Sequence, residues 1–403
     1  MLHSLQSGSW ATPQRLRVYP LLLIALYVAA LVAWFATAHG LLDWMNRPLG
    51  TDFSEVWVSG GFVLDGAPAK PFNNEALFAA ERSAFGAETA LFAWGYPPYF
   101  LSLAALFALL PYLWALLIWQ SASGLAYVMV MRTIVPRRET LVLALAFPAV
   151  FVNLTHGHNG FLTAALMAGG LLALEKRPLL AGFLFACLAY KPQYGLLIPV
   201  ALLAGQYWRA FFAAAVSFAA LTLTTLAAWG TAPWLAFVQS LTYSRVELLE
   251  QGNTGFYKMQ SLFAAVRMLG GDTALAYLAQ GALLIVLVLS IALLWAKRVD
   301  WRLKSAALLI AAILATPYCL DYDMMVIAPA IAFVVAHGLQ RGFAPFEKSL
   351  LAVVGLTPLI ARTLAQTTLV PLGLLAMLAL YGWVCWRALS AKRSESLKTS
   401  MPQ

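Results

Sequence analysis

Long apolar stretches, each closed by a short polar or basic connection, run along almost the whole chain. They lie near 19–38, 112–131, 140–155, 160–175, 178–190, 193–207, 209–229, 273–296, 304–318, 322–340, 347–361 and 368–388. Each run is continuous rather than alternating, which predicts helices and argues against a β-barrel. Several are shorter than the roughly 20 residues a membrane-spanning helix needs, so their ends must extend into the flanking sequence. The pattern predicts an all-α integral membrane protein, a bundle of about 12 transmembrane helices. Between the first two runs lies a long segment, 39–111, that holds VWVSGGFVL, NNEALFAAERSAF and LFAWGYPPYF. These amphipathic, aromatic-rich pieces predict interfacial helices in a first outer loop.

Composition agrees. The 403 residues are 62% hydrophobic and 11% charged, where soluble domains carry roughly 25% charge. Charge also sets the topology. The apolar stretch YPPYFLSLAALFALLP (96–111) would reverse every later loop if it crossed the membrane. With that stretch lying along or dipping into the bilayer, one side receives 18 basic and 5 acidic residues, and the other 8 basic and 12 acidic. A split of +13 against −4 is what the positive-inside rule demands. Both termini are then cytoplasmic, with 1–18 a basic arm, 19–390 the membrane domain and 391–403 a polar tail expected to be disordered. The loops 39–111 and 230–272 face outward. The first span is too long for a signal-peptide core and no convincing A-x-A site follows it, so it reads as an uncleaved anchor. Lipid headgroups account for the net charge of +9 without a nucleic-acid partner. Cys187, Cys319 and Cys385 have neither metal-ligand nor disulfide spacing.

Polar residues gather on the outward side. Asp52 and Glu55 stand three apart just after the first span, and Tyr96 opens the YPPYF segment. THGHNG (155–160) supplies His156, His158 and Asn159, and YKPQYG (190–195) supplies Lys191 and Gln193. PYCLDYD (317–323) supplies Asp321 and Asp323, and the second long loop adds Arg245 and Lys258. A charge at membrane depth costs a few kcal/mol, so it usually faces a cavity or a partner. Lys191 interrupts an otherwise apolar run and is the hardest to dismiss.

The order of these pieces resembles the GT-C polytopic glycosyltransferases, most closely glycosyltransferase family 87. An Asp soon after the first span is followed by GGFVLDGAPAKPF, then YPPYF, then a GQxN-like element, then KPQ. Here the third element reads His156-Gly157-His158-Asn159-Gly160, with His158 where Gln is usual. The resemblance covers most of residues 20–340. It implies a GT-C fold, a polyprenyl-phosphate sugar as donor (a hexose such as mannose), inversion at the anomeric carbon, and Asp52 as the base. It also implies a glycolipid or glycan acceptor and a bacterial inner membrane with a periplasmic active site. The substrate-binding residues would then be Glu55, Tyr96, His156, His158, Asn159, Lys191, Gln193, Arg245, Lys258, Asp321 and Asp323. Direct inverting transfer needs one carboxylate to take the acceptor proton while the lipid phosphate leaves from the opposite side. Cations should steady that phosphate; Lys191, Arg245 and Lys258 are candidates, with Arg362 further afield.

Plainer readings stand beside each assignment. Asp52 could cap the helix that follows it, and Glu55 could be a solvated carboxylate one turn on. Lys191 could snorkel to the interface, and the histidines, aspartates and loop cations could be ordinary interface residues. His156, His158, Asp321 and Asp323 could hold a metal, but no spacing demands one, and no cofactor is expected. The main rival function is a secondary transporter or flippase. Transporters favour inverted repeats and coupling charges at mid-membrane, whereas this chain concentrates polar groups at one face. An acyltransferase using His156 or His158 would leave the acidic loop without a purpose, and a scaffold would not need Lys191.

Overall fold

The computed structural model describes residues 2–399, with side chains through Ser390. The chain opens with α1 (Leu2–Ser7) and the long α2 (Arg15–Ala36). The first outer loop folds into α3 (Thr51–Leu64), α4 (Asn74–Phe85) and α5 (Pro98–Ala108). Next come α6 (Tyr112–Ile134) and a pair, α7 (Arg138–Leu145) and α8 (Pro148–His156), bent by 54°. The bend falls at Pro148, whose ring disfavours a helical Phe147 before it. Four shorter helices follow: α9 (Gly160–Ala173), α10 (Pro178–Cys187), α11 (Pro192–Gly195) and α12 (Ile198–Ala204). After the long α13 (Trp208–Trp229), the second outer loop holds α14 (Ala232–Tyr243), a π-helical turn (Ser244–Glu250), a 3₁₀ turn (Phe256–Lys258) and α15 (Leu262–Met268). The chain closes with α16 (Thr273–Ala296), α17 (Trp301–Leu314), a 3₁₀ segment (Asp321–Val326), α18 (Ile327–Arg341), α19 (Glu347–Thr368) and α20 (Leu372–Thr399). Among the described residues only isolated bridges stand in for strands.

Every apolar stretch predicted as a span coincides with helix, but the expected count of twelve is larger than length and composition support. Seven helices are long and apolar enough to cross a membrane, or eight if α7 and α8 form one bent span. The runs at 160–173, 178–190 and 192–204 fold as shorter apolar helices, below the roughly 20 residues a full crossing takes. α5, with 11 residues, belongs to the same class of shorter apolar helices. Residues 391–403, expected to form a disordered tail, have no described side chains, although the backbone of α20 runs to Thr399.

The core sits around α17, where every residue from Ser305 to Leu314 is buried. A helix apolar on all sides belongs inside a bundle. By contrast α2 and α13 expose Leu22, Leu26, Val32, Phe212, Val216 and Leu223, as lipid-facing helices do. Small residues set the closest approaches. A Cβ on Gly60 would lie 2.1 Å from the Ala104 carbonyl oxygen, so α3 and α5 touch backbone to backbone. Every Lys or Arg ion pair among the described residues joins two groups that the charge distribution put on the same side, such as Arg17 with Glu139 or Arg362 with Asp321. The arm before α2 docks on the start of α19, where the Trp10 indole donates to Ser349 Oγ (2.8 Å) and Ser349 Oγ donates to the Leu5 carbonyl (2.8 Å).

Candidate functional site

Two glycines bring the site together. Gly50 precedes α3 with φ 74°, and Gly157 follows α8 with φ 63°. Both are left-handed conformations that other residues adopt at a cost. A Cβ on Gly157 would lie 3.1 Å from the Gly50 Cα and 2.7 Å from the Phe53 Cβ, so nothing larger fits between the two loops. α6 fastens both: Tyr112 donates its hydroxyl to the Leu49 carbonyl (2.6 Å), and the Trp119 indole donates to the Gly157 carbonyl (2.9 Å). This contact sets Asp52, two residues past one glycine, beside His158, one residue past the other. Asp52 Oδ2 lies 4.0 Å from His158 Nε2.

Asn153, at the other side of the same turn, anchors a third segment. Its amide donates to the Tyr322 carbonyl (3.0 Å), and its carbonyl oxygen accepts from the Gly160 N–H (2.9 Å). Tyr322 then stacks on the His158 ring, with centroids 3.5 Å apart. The neighbouring Asp323 accepts from Lys191 Nζ at 2.7 Å and from the Leu320 N–H at 3.1 Å. Lys191 is therefore a buried ion-pair partner that also stands 3.5 Å from His158 Nε2. Asn159 donates to the Tyr96 hydroxyl (2.8 Å), which ties the YPPYF segment to the histidine loop.

The capping alternative for Asp52 fails. Gly50 occupies the N-cap of α3 and Asp52 lies in the first helical turn, where the helix dipole favours an anion. Its carboxylate takes one protein hydrogen bond, from the Thr51 hydroxyl at 3.3 Å, and keeps 20% of its side chain exposed. Burial pushes this carboxyl above its ordinary value and Asp321 adds to the rise, while His156, Lys191 and the Thr51 hydroxyl oppose it. Burial also pushes His158 well below the usual imidazole range, helped by Lys191 and His156, so its ring is neutral. Glu55 is not a solvated carboxylate: it is buried and takes part in no hydrogen bond among the described residues. Burial, then Asp52 and Glu81, raise its carboxyl well above the usual range.

A cationic rim stands over this floor. The segment after the second outer loop's 3₁₀ turn lies against the 3₁₀ segment before α18, where the Gln260 N–H donates to the Cys319 carbonyl (2.6 Å). That contact carries Lys258 toward Asp321, which also accepts from Arg362 Nη1 at 3.4 Å. Burial and the neighbouring Arg362 and Arg47 lower the Lys258 ammonium, while Asp321 and Asp52 partly offset them. Arg47 is held in a fork by Asp43 at 3.2 and 3.0 Å. Lys258 has no carboxylate within ion-pair distance among the described residues. Three cations thus crowd one mouth, an arrangement an anion would relieve.

The structure therefore gathers Asp52, Glu55, Tyr96, His156, His158, Asn159, Lys191, Lys258, Asp321 and Asp323. His156 sits at the edge, its Nδ1 2.9 Å from the Val152 carbonyl. Two expected contacts do not join. Arg245, in the π-helical turn, is 63% exposed and pairs with Glu250 at 3.8 Å. Gln193, on the one-turn α11, is half-buried and has no hydrogen bond among the described residues. Arg47 and Tyr322 escape sequence reasoning. Arg47 looks like a loop cation until its neighbours are known, although Tyr322, between two aspartates, carried a signal that could have been read. No three His, Cys, Asp or Glu side chains among the described residues stand close enough to hold a metal ion.

A family model described as glycosyltransferase family 87 matches residues 94–317, more than half of the chain. No curated protein and no solved structure gives a significant match. The matched region carries Tyr96, the histidine loop, Lys191 and Lys258, while Asp52, Asp321 and Arg362 pack against it from outside.

Proposed function

The chain belongs to glycosyltransferase family 87, and on that premise we propose that it moves a sugar from a polyprenyl-phosphate donor to an acceptor hydroxyl with Asp52 as general base. The observation that carries the proposal is the state of Asp52. Its carboxylate is partly exposed, spared from capping, and lies beside a neutral imidazole under a rim of cations. In the step proposed, the acceptor hydroxyl attacks the anomeric carbon and its proton passes to Asp52. The bond from that carbon to the phosphate oxygen breaks, and the polyprenyl phosphate departs with the electron pair from the opposite face, so configuration inverts. Lys258, Arg362 and Arg47 would hold the phosphate as its charge grows. Lys191, already neutralised by Asp323, is better suited to fixing His158 and the Tyr322 segment than to meeting phosphate. The transferred sugar would be a hexose, with mannose the first to try.

We place the site on the periplasmic side of a bacterial inner membrane, with both termini cytoplasmic; the charge distribution supports this. In intact cells an impermeant maleimide should label Glu88→Cys, a position exposed on the first outer loop. For the chemistry, purified protein is supplied with polyprenyl-phosphate mannose or glucose and a glycan acceptor. Asp52→Asn should keep the fold and lose about 10²–10⁴ in rate. A folded Asp52→Asn protein as active as wild type would overturn the assignment. Solute movement without bond formation would favour a transporter instead.

A further inference from the structure

Beneath Asp52 several buried polar groups have no partner. Asn159 is 3% exposed, and its Oδ1 meets no donor among the described residues. His158, also 3% exposed, has an unpartnered Nδ1. Glu55, at 7% exposure, has neither carboxyl oxygen in a hydrogen bond among the described residues. The Tyr96 hydroxyl accepts from Asn159 Nδ2 at 2.8 Å, which leaves its own hydrogen to give elsewhere. These groups share one place. Asn159 touches Tyr96, Tyr96 feels the Glu55 carboxyl more strongly than that of Asp52, and Glu55 lies one turn along α3 from Asp52.

A buried polar group left unpaired is costly, and several in one place point to a ligand that pairs them. The chemistry of the set narrows the ligand. The adjacent Asp52 carboxylate repels a phosphate or a uronate, and the described side chains offer no metal cage. Burial, then Asp52 and Glu81, raise the Glu55 carboxyl well above its ordinary value and so favour its neutral form, which both donates and accepts. Tyr96 donates and Asn159 Oδ1 accepts. Neutral donors and acceptors mixed at close quarters match neighbouring hydroxyls on an uncharged sugar ring.

We propose that Glu55, Tyr96 and Asn159 form a hydroxyl-reading pocket beneath Asp52 that takes an uncharged sugar and sets the specificity of this site. The inference rests on the glycosyltransferase reading and deepens it: the rim takes the charge, and the floor takes the hydroxyls. The sugar could belong to the donor or to the acceptor, and binding separates the two without turnover.

The full-length protein in nanodiscs is titrated with undecaprenyl phosphate, with its mannosyl, glucosyl and arabinosyl derivatives, and with the corresponding methyl glycosides. Glu55→Ala, Tyr96→Phe and Asn159→Ala should each weaken one sugar-bearing ligand about tenfold, the loss of a buried hydrogen bond. Each variant should bind bare undecaprenyl phosphate as wild type does. A loss confined to the sugar lipids assigns the pocket to the donor, and a loss confined to the methyl glycosides assigns it to the acceptor. Glu55→Gln keeps shape and neutrality and should bind within about threefold of wild type. If Glu55→Gln is as weak as Glu55→Ala, a negative charge is required and the pocket is overturned. It is equally overturned if wild type prefers no sugar-bearing lipid and binds no glycoside, or if the variants lose nothing. A protein that binds through these residues yet transfers to no acceptor would sink the transferase reading while the pocket stands.

Discussion

Two glutamates on opposite sides of the bundle make an instructive pair. Glu347, at the start of α19, is fully buried and accepts from the Ala344 N–H at 2.8 Å, the Trp383 indole at 3.1 Å and Arg387 Nε at 3.2 Å. Glu55 is nearly as buried and has no partner among the described residues. Around Glu347 the pairing is complete, and its work is to lock α19, α20 and the loop between α18 and α19. Around Glu55 the neighbours Asn159 and His158 also have unmatched atoms. The two environments are joined by α19 itself, since Arg362 lies fifteen residues beyond Glu347, about 22 Å along the helix. A buried carboxylate satisfied within the chain holds structure, whereas the unpaired Glu55 carboxyl is left free to meet a substrate.

That contrast can be broken by experiment. The largest effect is expected at Asp52, where Asn should abolish most transfer, about 10²–10⁴-fold, with no fall in thermal stability. Arg387→Leu should do the reverse. Leaving Glu347 buried with one cation fewer should cost about 3–5 kcal/mol in stability, while transfer per folded molecule stays normal. Equal damage to rate and stability by both variants would erase the distinction. Next in size, Lys258→Ala should weaken binding of a polyprenyl phosphate by about 10–100-fold, as expected for a charged hydrogen bond. Arg245→Ala, outside the rim, should leave that affinity unchanged.

Smaller effects come from pH. Burial pushes the Glu81 carboxyl up to about 8, from an ordinary 4.5. The folded protein therefore holds this proton more tightly than the unfolded chain does. Stability should be greatest at low pH on this account and fall by at most about 1.4 kcal/mol per pH unit between those two values. Glu81→Gln should flatten that slope in thermal melts taken from pH 5 to 8. Burial raises the Asp52 carboxyl as well, but there the readout is activity. Only the ionised form accepts a proton, so the acid limb of kcat/KM should fall above the ordinary 3.8. An acid limb that is unchanged in Asp52→Glu and in His156→Ala would remove Asp52 from that profile.

Much of this was legible in the chain before folding. The apolar runs fell where helices form, because continuous hydrophobicity over many residues leaves the backbone few alternatives in a bilayer. The gathering of Asp52, His158, Lys191 and Asp323 also followed, since topology alone puts those loops on one face. The number of full crossings was less legible, because short runs such as 192–204 look the same whether they cross or end inside the bundle. The cations were the least legible. Arg245 and Lys258 belong to one loop and differ in what the fold sets beside them, Glu250 for one and Asp321 for the other, and Arg47 resembles any loop arginine. A loop cation's role depends on a neighbour distant in sequence, as Lys258 depends on the bridge between Met259 and Leu320. The capping alternative for Asp52 was settled by one backbone detail, the left-handed Gly50 that takes the cap position instead.

The ion pair between Lys191 and Asp323 has a consequence for how the protein is made. Its partners stand 132 residues apart. A ribosome adding about 5–20 residues per second needs on the order of ten seconds to deliver the aspartate after the lysine. Throughout that interval the segment carrying Lys191 enters the membrane as a lone cation, at a cost of a few kcal/mol. It must shelter in water, in the insertion machinery or against the histidine loop already in place. Synthesis through Asp323 therefore supplies both a residue of the site and the counter-charge that the Lys191 segment lacked.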